Sequence, residues 1–145
     1  MTKIVYNKCH GGFGLSEAGM RRYAELKGIT LYVEADPKFP HLNTYWTAPP
    51  NERHGILSDD KFYAASIEAR KHSNARHSAL TLSDSDIMRF DPFLVQVVED
   101  LGEVANGKYA NLAIADIPAG TKYRIDEYDG LESVMTIDDY EWFIA

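Results

Sequence analysis

Two stretches near opposite ends of the chain hold the residues whose types and spacing could do chemistry. The first is Gly11-Gly12-Phe13-Gly14, followed by Leu15-Ser16-Glu17 and, one turn further on, by Arg21 and Arg22. A glycine turn that leads into a capped helix can present backbone N–H groups to an anion, and nearby arginines suit a phosphorylated ligand. The glycine order is not the dinucleotide fingerprint Gly-x-Gly-x-x-Gly, and no Gly-Lys-Ser/Thr follows to make a P-loop. The same residues can equally form a tight turn with positive φ angles and no ligand. Candidate ligand-binding residues are therefore Gly11, Gly12, Phe13, Gly14, Ser16, Arg21 and Arg22.

The second stretch is Lys122 to Met135, with Asp129-Gly130 at its centre. Asp-Gly fits a type I′ turn, so the segment reads as a hairpin. A two-residue loop sets Tyr128 opposite Leu131, Glu127 opposite Glu132 and Ile125 opposite Val134. Two carboxylates then oppose one another on one face, which costs up to ~1 kcal/mol unless something positive lies between them. A basic partner, a Lys or Arg of this chain, or a cation would serve. Glu127, Tyr128, Asp129 and Glu132 are thus candidate partner-binding residues, with a solvated hairpin tip as the alternative. Paired carboxylates also suit general acid–base work, but that chemistry needs a cleft and a nucleophile or metal as well.

Cys9-His10 matches no zinc spacing, and neighbouring side chains on a strand point to opposite faces. His41, His54, His72 and His77 share no helical face and read as surface residues. Asp138, Asp139 and Glu141 read as a solvated acidic face. No residue is assigned a catalytic or metal-binding role, and no cofactor is expected.

Composition narrows the classes. The chain has 145 residues, 45% apolar and 26% charged, which suits one globular domain over residues 1–145. The net charge of −7 argues against nucleic acid, which calls for a basic face, and favours a basic protein partner. A single cysteine allows no internal disulfide and points to the cytoplasm. No apolar run approaches the ~20 residues of a membrane span.

The elements that must position these residues follow from local signals. Residues 3–7 read as a strand. Ser16 caps a helix that Gly28 ends, with Leu15 and Met20 as a hydrophobic staple. Ile29 to Val33 reads as a second strand, giving a β-α-β start. Residues 36–58 hold four of the six prolines and read as an irregular excursion, with a short strand at Tyr45-Trp46. Ser58 caps a helix from Asp59 to about His72, and 73–86 reads as a polar linker. Asp91-Pro92 opens a helix whose Leu94, Val97, Val98, Leu101 and Ala105 recur at helical spacing before Asn106-Gly107. Asn111 to Ile117 is a strand, the hairpin follows, and Tyr140 to Ile144 reads as a last strand. The expected fold is α+β: a mainly antiparallel sheet, about three helices on one face and a C-terminal hairpin. Its aromatics, including Tyr45-Trp46, Tyr123, Tyr128, Tyr140 and Trp142-Phe143, suit either an interface or a small core.

The start Lys-Ile-Val-Tyr-Asn-x-Cys-x-Gly-Gly-Phe-x-Leu-Ser (residues 3–16) resembles that of small tailed-bacteriophage proteins of unassigned function. Asp91-Pro92 to Glu99, Leu101-Gly102, Ala105-Asn106-Gly107 and Glu127-Tyr128-Asp129-Gly130 are similar to the same set. The resemblance leaves residues 36–86 largely unmatched and brings no catalytic residues. It implies a phage or prophage protein made in the bacterial cytoplasm, of a kind that acts on host systems or sequesters nucleotide signals of host immunity. The expected function is a non-enzymatic accessory protein for host takeover or anti-defence. Its partner would be a host protein or a small phosphorylated ligand, with homo-oligomerisation left open. The alternatives are a small hydrolase or phosphodiesterase using Glu127, Glu132 or His10, and a minor structural protein.

Overall fold

Residues 1–145 are all described by a computed structural model, which is α+β and contains four helices and six strands. The chain falls into two compact units, residues 1–27 with 84–145, and residues 28–83.

In the first unit β1 (Thr2–Asn7) pairs antiparallel with β4 (Leu112–Ile117), Val5 standing opposite Ile114 and Asn7 opposite Leu112. Helix α1 (Glu17–Lys27) begins at Ser16, whose hydroxyl accepts the Gly19 N–H at 3.0 Å. It ends at Gly28, which has φ +71°. Leu15 and Met20 are both buried, as a hydrophobic staple requires. Helix α4 (Pro92–Leu101) is capped by Asp91, which accepts the Phe93 N–H at 2.8 Å. Its Leu94, Val95, Val97 and Val98 are buried, and Gly102 to Ala105 continue as a 3-10 turn. α1 and α4 pack on each other, and α4 on β1. Ile4, Val5, Met20, Leu94 and Val97 fill the centre. The hairpin of β5 (Tyr123–Tyr128) and β6 (Leu131–Thr136) sets Glu127 opposite Glu132 and Tyr128 opposite Leu131, as the Asp-Gly turn predicts. Asp129 and Gly130 both have positive φ, +48° and +86°.

The second unit contains β2 (Tyr32–Ala35), antiparallel to β3 (Asn43–Trp46), and the helices α2 (Asp59–Ala64) and α3 (Ile67–Ala79). A 3-10 turn spans Pro50–Glu52.

Four expectations are corrected. The β-α-β start is absent, because β1 pairs with β4 and β2 with β3. Burial decides this: β1 must cover Ile4 and Val5, β4 supplies buried Leu112 and Ile117, and β2 buries nothing. The strands form three two-stranded ladders instead of one sheet. The expected helix over 59–72 breaks at Ala65-Ser66, where Ser66 accepts the Ala69 N–H at 3.2 Å and starts α3 afresh. α3 then runs through the first half of the supposed linker, to Ala79. Finally, residues 140–144 form no strand, since nothing in the chain pairs with them.

Candidate functional site

The glycine turn and the hairpin tip, read separately from the sequence, meet in space. A Cβ on Gly130 would lie 2.2 Å from the His10 carbonyl oxygen and 2.6 Å from the Gly12 nitrogen. A Cβ on Gly11 would lie 1.7 Å from the Tyr109 carbonyl oxygen, and one on Gly107 2.9 Å from the Gly14 carbonyl carbon. Gly11, Gly107 and Gly130 are therefore glycine because three stretches of backbone cross there without room for a side chain. Gly12 has open space around its α-carbon, and its φ of +93° is what selects glycine.

This crossing is wired to a buried polar network. Asn7, fully buried, donates to the carbonyls of Cys9 at 2.7 Å and Gly130 at 2.9 Å, and accepts the Asn111 N–H at 2.8 Å. Its own N–H goes to Glu132 at 2.8 Å. Arg89 grips the same carboxylate in two places, Nη1 to Oε1 at 2.6 Å and Nη2 to Oε2 at 2.9 Å. The guanidinium lies 3.5 Å above the centre of the Phe13 ring, and the Arg89 carbonyl accepts the Val5 N–H at 2.9 Å. A bidentate pair with stacking beneath it is the geometry in which arginine is strongest. The outward N–H groups of β1 thus end on Arg89 and Glu132, which closes that strand edge without another strand.

The candidates fare differently in this setting. The opposed carboxylates do have their positive group, and it is internal. Glu132 is only 8% exposed and belongs to Arg89, so it is corrected from a partner-facing residue to a structural one. Glu127 accepts the Gly130 N–H at 2.5 Å and closes its own turn. Tyr128 is exposed, as is Asp129. At the helix entrance the Leu15 N–H donates to the Asp84 carboxylate at 2.9 Å and Gly19 to Ser16, so two N–H groups offered to an external anion are taken from within. Arg21 and Arg22 lie apart from the crossing, Arg21 paired with Glu17 at 3.4 Å and Arg22 with Glu25 at 2.9 Å and Asp100 at 3.2 Å. Cys9 donates to the Tyr109 carbonyl at 3.0 Å.

Nearby, the Tyr23 hydroxyl donates to Asp91 at 2.6 Å and joins the end of α1 to the start of α4. Burial, and then this hydrogen bond, pushes the Tyr23 phenol above its ordinary value. Burial pushes the Asp91 carboxyl upward, but the Tyr23 hydroxyl, the Phe93 and Leu94 N–H groups and Lys27 together hold it below its ordinary value.

An open cleft lies within residues 28–83. It has a volume of about 580 Å³ and is lined by Glu34, Asp36, Asp59 and Asp60 around Trp46, Ile56 and Leu57, with Lys38 and His77 at its border. Four carboxylates therefore meet one ammonium, Lys38, and one guanidinium, that of Arg53, which holds Glu34. Asp36 accepts the Lys38 and Phe39 N–H groups at 2.8 and 2.9 Å, which fixes the turn after β2. The Phe39 bond, then the Lys38 bond, holds its carboxyl below the ordinary range, so it is charged at neutral pH. Lys38 stands 4.0 Å from Asp59. Trp46 is held by His77, edge to face with ring centres 5.1 Å apart, and by the Arg53 guanidinium 4.1 Å from its centre. Arg53, one-tenth exposed, also reaches Glu34 at 2.8 Å and the Ala48 carbonyl at 2.9 Å, while its Nη2 is buried without an acceptor.

One helix face positions all this. Arg70 donates to the carbonyls of Phe62 and Tyr63, Ser73 accepts the Leu57 N–H at 2.9 Å, Arg76 donates to the His54 carbonyl at 3.0 Å, and His77 meets Trp46. Arg70, Ser73 and Arg76 follow each other at intervals of three along α3 and His77 lies four beyond Ser73, so they fall on one side of the helix. His41, His54, His72 and His77 are all exposed, as expected of surface residues, and His77 reaches Trp46 from that exposed position. Trp46 was singled out only as one of several aromatics, and Arg53 and Arg89 were missed; for the clamp on 54–63 the available signal was the run of polar residues at positions 70, 73 and 76.

No three His, Cys, Asp or Glu side chains converge in a way that could hold a metal ion. Comparison with protein-family models, curated proteins and solved structures finds no match for this chain.

Proposed function

We propose that this chain is a non-enzymatic binding protein whose cleft over residues 28–83 takes a basic segment of a protein partner. The observation that carries the reading is the lining itself: Asp36, Asp59 and Asp60 in one cleft with Trp46, whose ring already carries the chain's own Arg53 guanidinium, paired with Glu34. Carboxylates beside an indole suit an ammonium or guanidinium on an aliphatic stem. The net charge of −7 steers such a partner inward and repels a phosphorylated ligand. The phosphate reading loses support because Asp84 and Ser16 occupy helix-entrance N–H groups and acidic partners occupy both arginines. The hydrolase reading loses its carboxylates to Arg89 and to the hairpin turn. The same proposal takes the partner to be a bacterial host protein, in keeping with the phage resemblance.

The test is titration with a lysine-rich peptide, a glutamate-rich peptide and ATP, followed by Trp46 fluorescence in a Trp142→Phe background. Only the lysine-rich peptide should bind, more weakly as salt rises. Asp59→Asn with Asp60→Asn should weaken it several-fold without unfolding the protein. Binding of ATP in preference to the basic peptide would overturn the reading, as would indifference to the double change.

A further inference from the structure

The hairpin β5–β6 ends in an apolar groove of about 230 Å³, lined by Tyr123, Met135, Ile137 and Tyr140 with the stems of Lys122 and Arg124. The chain beyond this groove runs Glu141-Trp142-Phe143-Ile144. Trp142 is 83% exposed, Phe143 89% and Ile144 101%. Three large apolar residues in a row, bared to water, mark an interaction site. They are also β-forming by type, so the segment reads as a strand that lacks a ladder. A strand edge stands open to receive it, because β5 is paired on one side only, with β6.

We propose that residues 141–144 of one copy of this chain add to the β5 edge of a second copy, with Trp142 seated in its groove and Phe143 on the opposite face of the added strand, and that the exchange is reciprocal. Charge favours this occupant. Lys122 and Arg124 border the groove, while the incoming segment carries Glu141 and is preceded by Asp138. Within one copy Tyr140 lines the groove and lies against Arg124, 4.8 Å from guanidinium to ring centre, and it is the residues after it that stand in solvent. Groove and segment occur on every chain, so mutual exchange closes a two-fold dimer in which each contact is made twice. Main-chain pairing supplies affinity and the two aromatics supply the anchors.

The experiment is sedimentation equilibrium of the full chain across the micromolar range, with two variants. The native chain should show a concentration-dependent monomer–dimer equilibrium. Trp142→Ser with Phe143→Ser should raise the dimer Kd roughly tenfold or more, because aromatic anchors carry most of such an interface. Lys122→Glu should weaken the dimer several-fold. Arg124 to Tyr128 amides should exchange more slowly in the dimer than in the anchor variant. A native chain that stays monomeric, a dimer untouched by the anchor change, or β5 amides protected equally in monomer and dimer would each overturn the proposal.

Discussion

The two units of this chain solve the same problem with different chemistry. Residues 1–27 with 84–145 close around an apolar centre, and every buried apolar residue except Ala48 lies there. Even the polar interior of that unit is satisfied at short range, Asn7, Arg89 and Glu132 each holding several partners. Residues 28–83 bury almost no apolar side chain and are held by a polar face of α3 gripping loop carbonyls and N–H groups. Hydrogen bonds near water each contribute only about 1 kcal/mol net, against about 2 kcal/mol for a buried aliphatic side chain. A buried guanidinium nitrogen without an acceptor, at Arg53, weakens the clamp further. The comparison teaches that the cleft sits in the more yielding part of the molecule, where a ligand can itself supply order.

The largest expected break in the first unit is at Arg89. Arg89→Met should cost about 4 kcal/mol, because it strands the buried Glu132 carboxylate and removes the plate stacked on Phe13. Glu132→Gln should cost less, since an amide still accepts the Asn7 N–H. Urea unfolding of both variants checks the order, and a loss under 1 kcal/mol for Arg89→Met would refute the hub. Next comes Leu94→Ala, about 3 kcal/mol for a fully buried side chain. An equal loss from Ile56→Ala in the second unit would erase the contrast between the two.

What the sequence made legible was local. Asp91-Pro92 and Asp129-Gly130 are turn and cap chemistry written in adjacent residues, and both elements start where those residues stand. The pairing of β1 with β4 is decided by which partner covers Ile4 and Val5, a choice made more than a hundred residues away. Arg89 stands between Met88 and Phe90 with nothing nearby to mark it, because its partners Phe13 and Glu132 are remote in sequence. Glu127 and Glu132 were placed opposite each other correctly. Their roles still diverged, since the chain's own arginine reached one of them.

Smaller effects sharpen the comparison. Gly11→Ala should cost about 2 kcal/mol, as its methyl would strike the Tyr109 carbonyl. A thermal melt would show it, and an unchanged midpoint would mean that the crossing is loose. In the second unit, Arg76→Ala should cost about 1 kcal/mol, seen as faster exchange of the residues near His54 and not as a lower global midpoint. Asp91 contributes to the acid response of the first unit. Its carboxyl is held below the ordinary value in the folded state, so its contribution is present above the unfolded value near ~3.9 and is lost as pH falls through the folded value. Asp91→Asn should flatten that part of the acid profile, and an unchanged slope below about pH 4 would contradict the assignment.

Native-state hydrogen exchange tests the central contrast most directly. Amides of α3, Ile67–Ala79, should open at a lower free energy than those of α4, Pro92–Leu101, and a lysine-rich peptide should slow exchange in α3 while leaving α4 unchanged. If both helices open together at one free energy, or if the peptide protects only α4, the division into a sealed core and a yielding, ligand-ordered clamp is wrong.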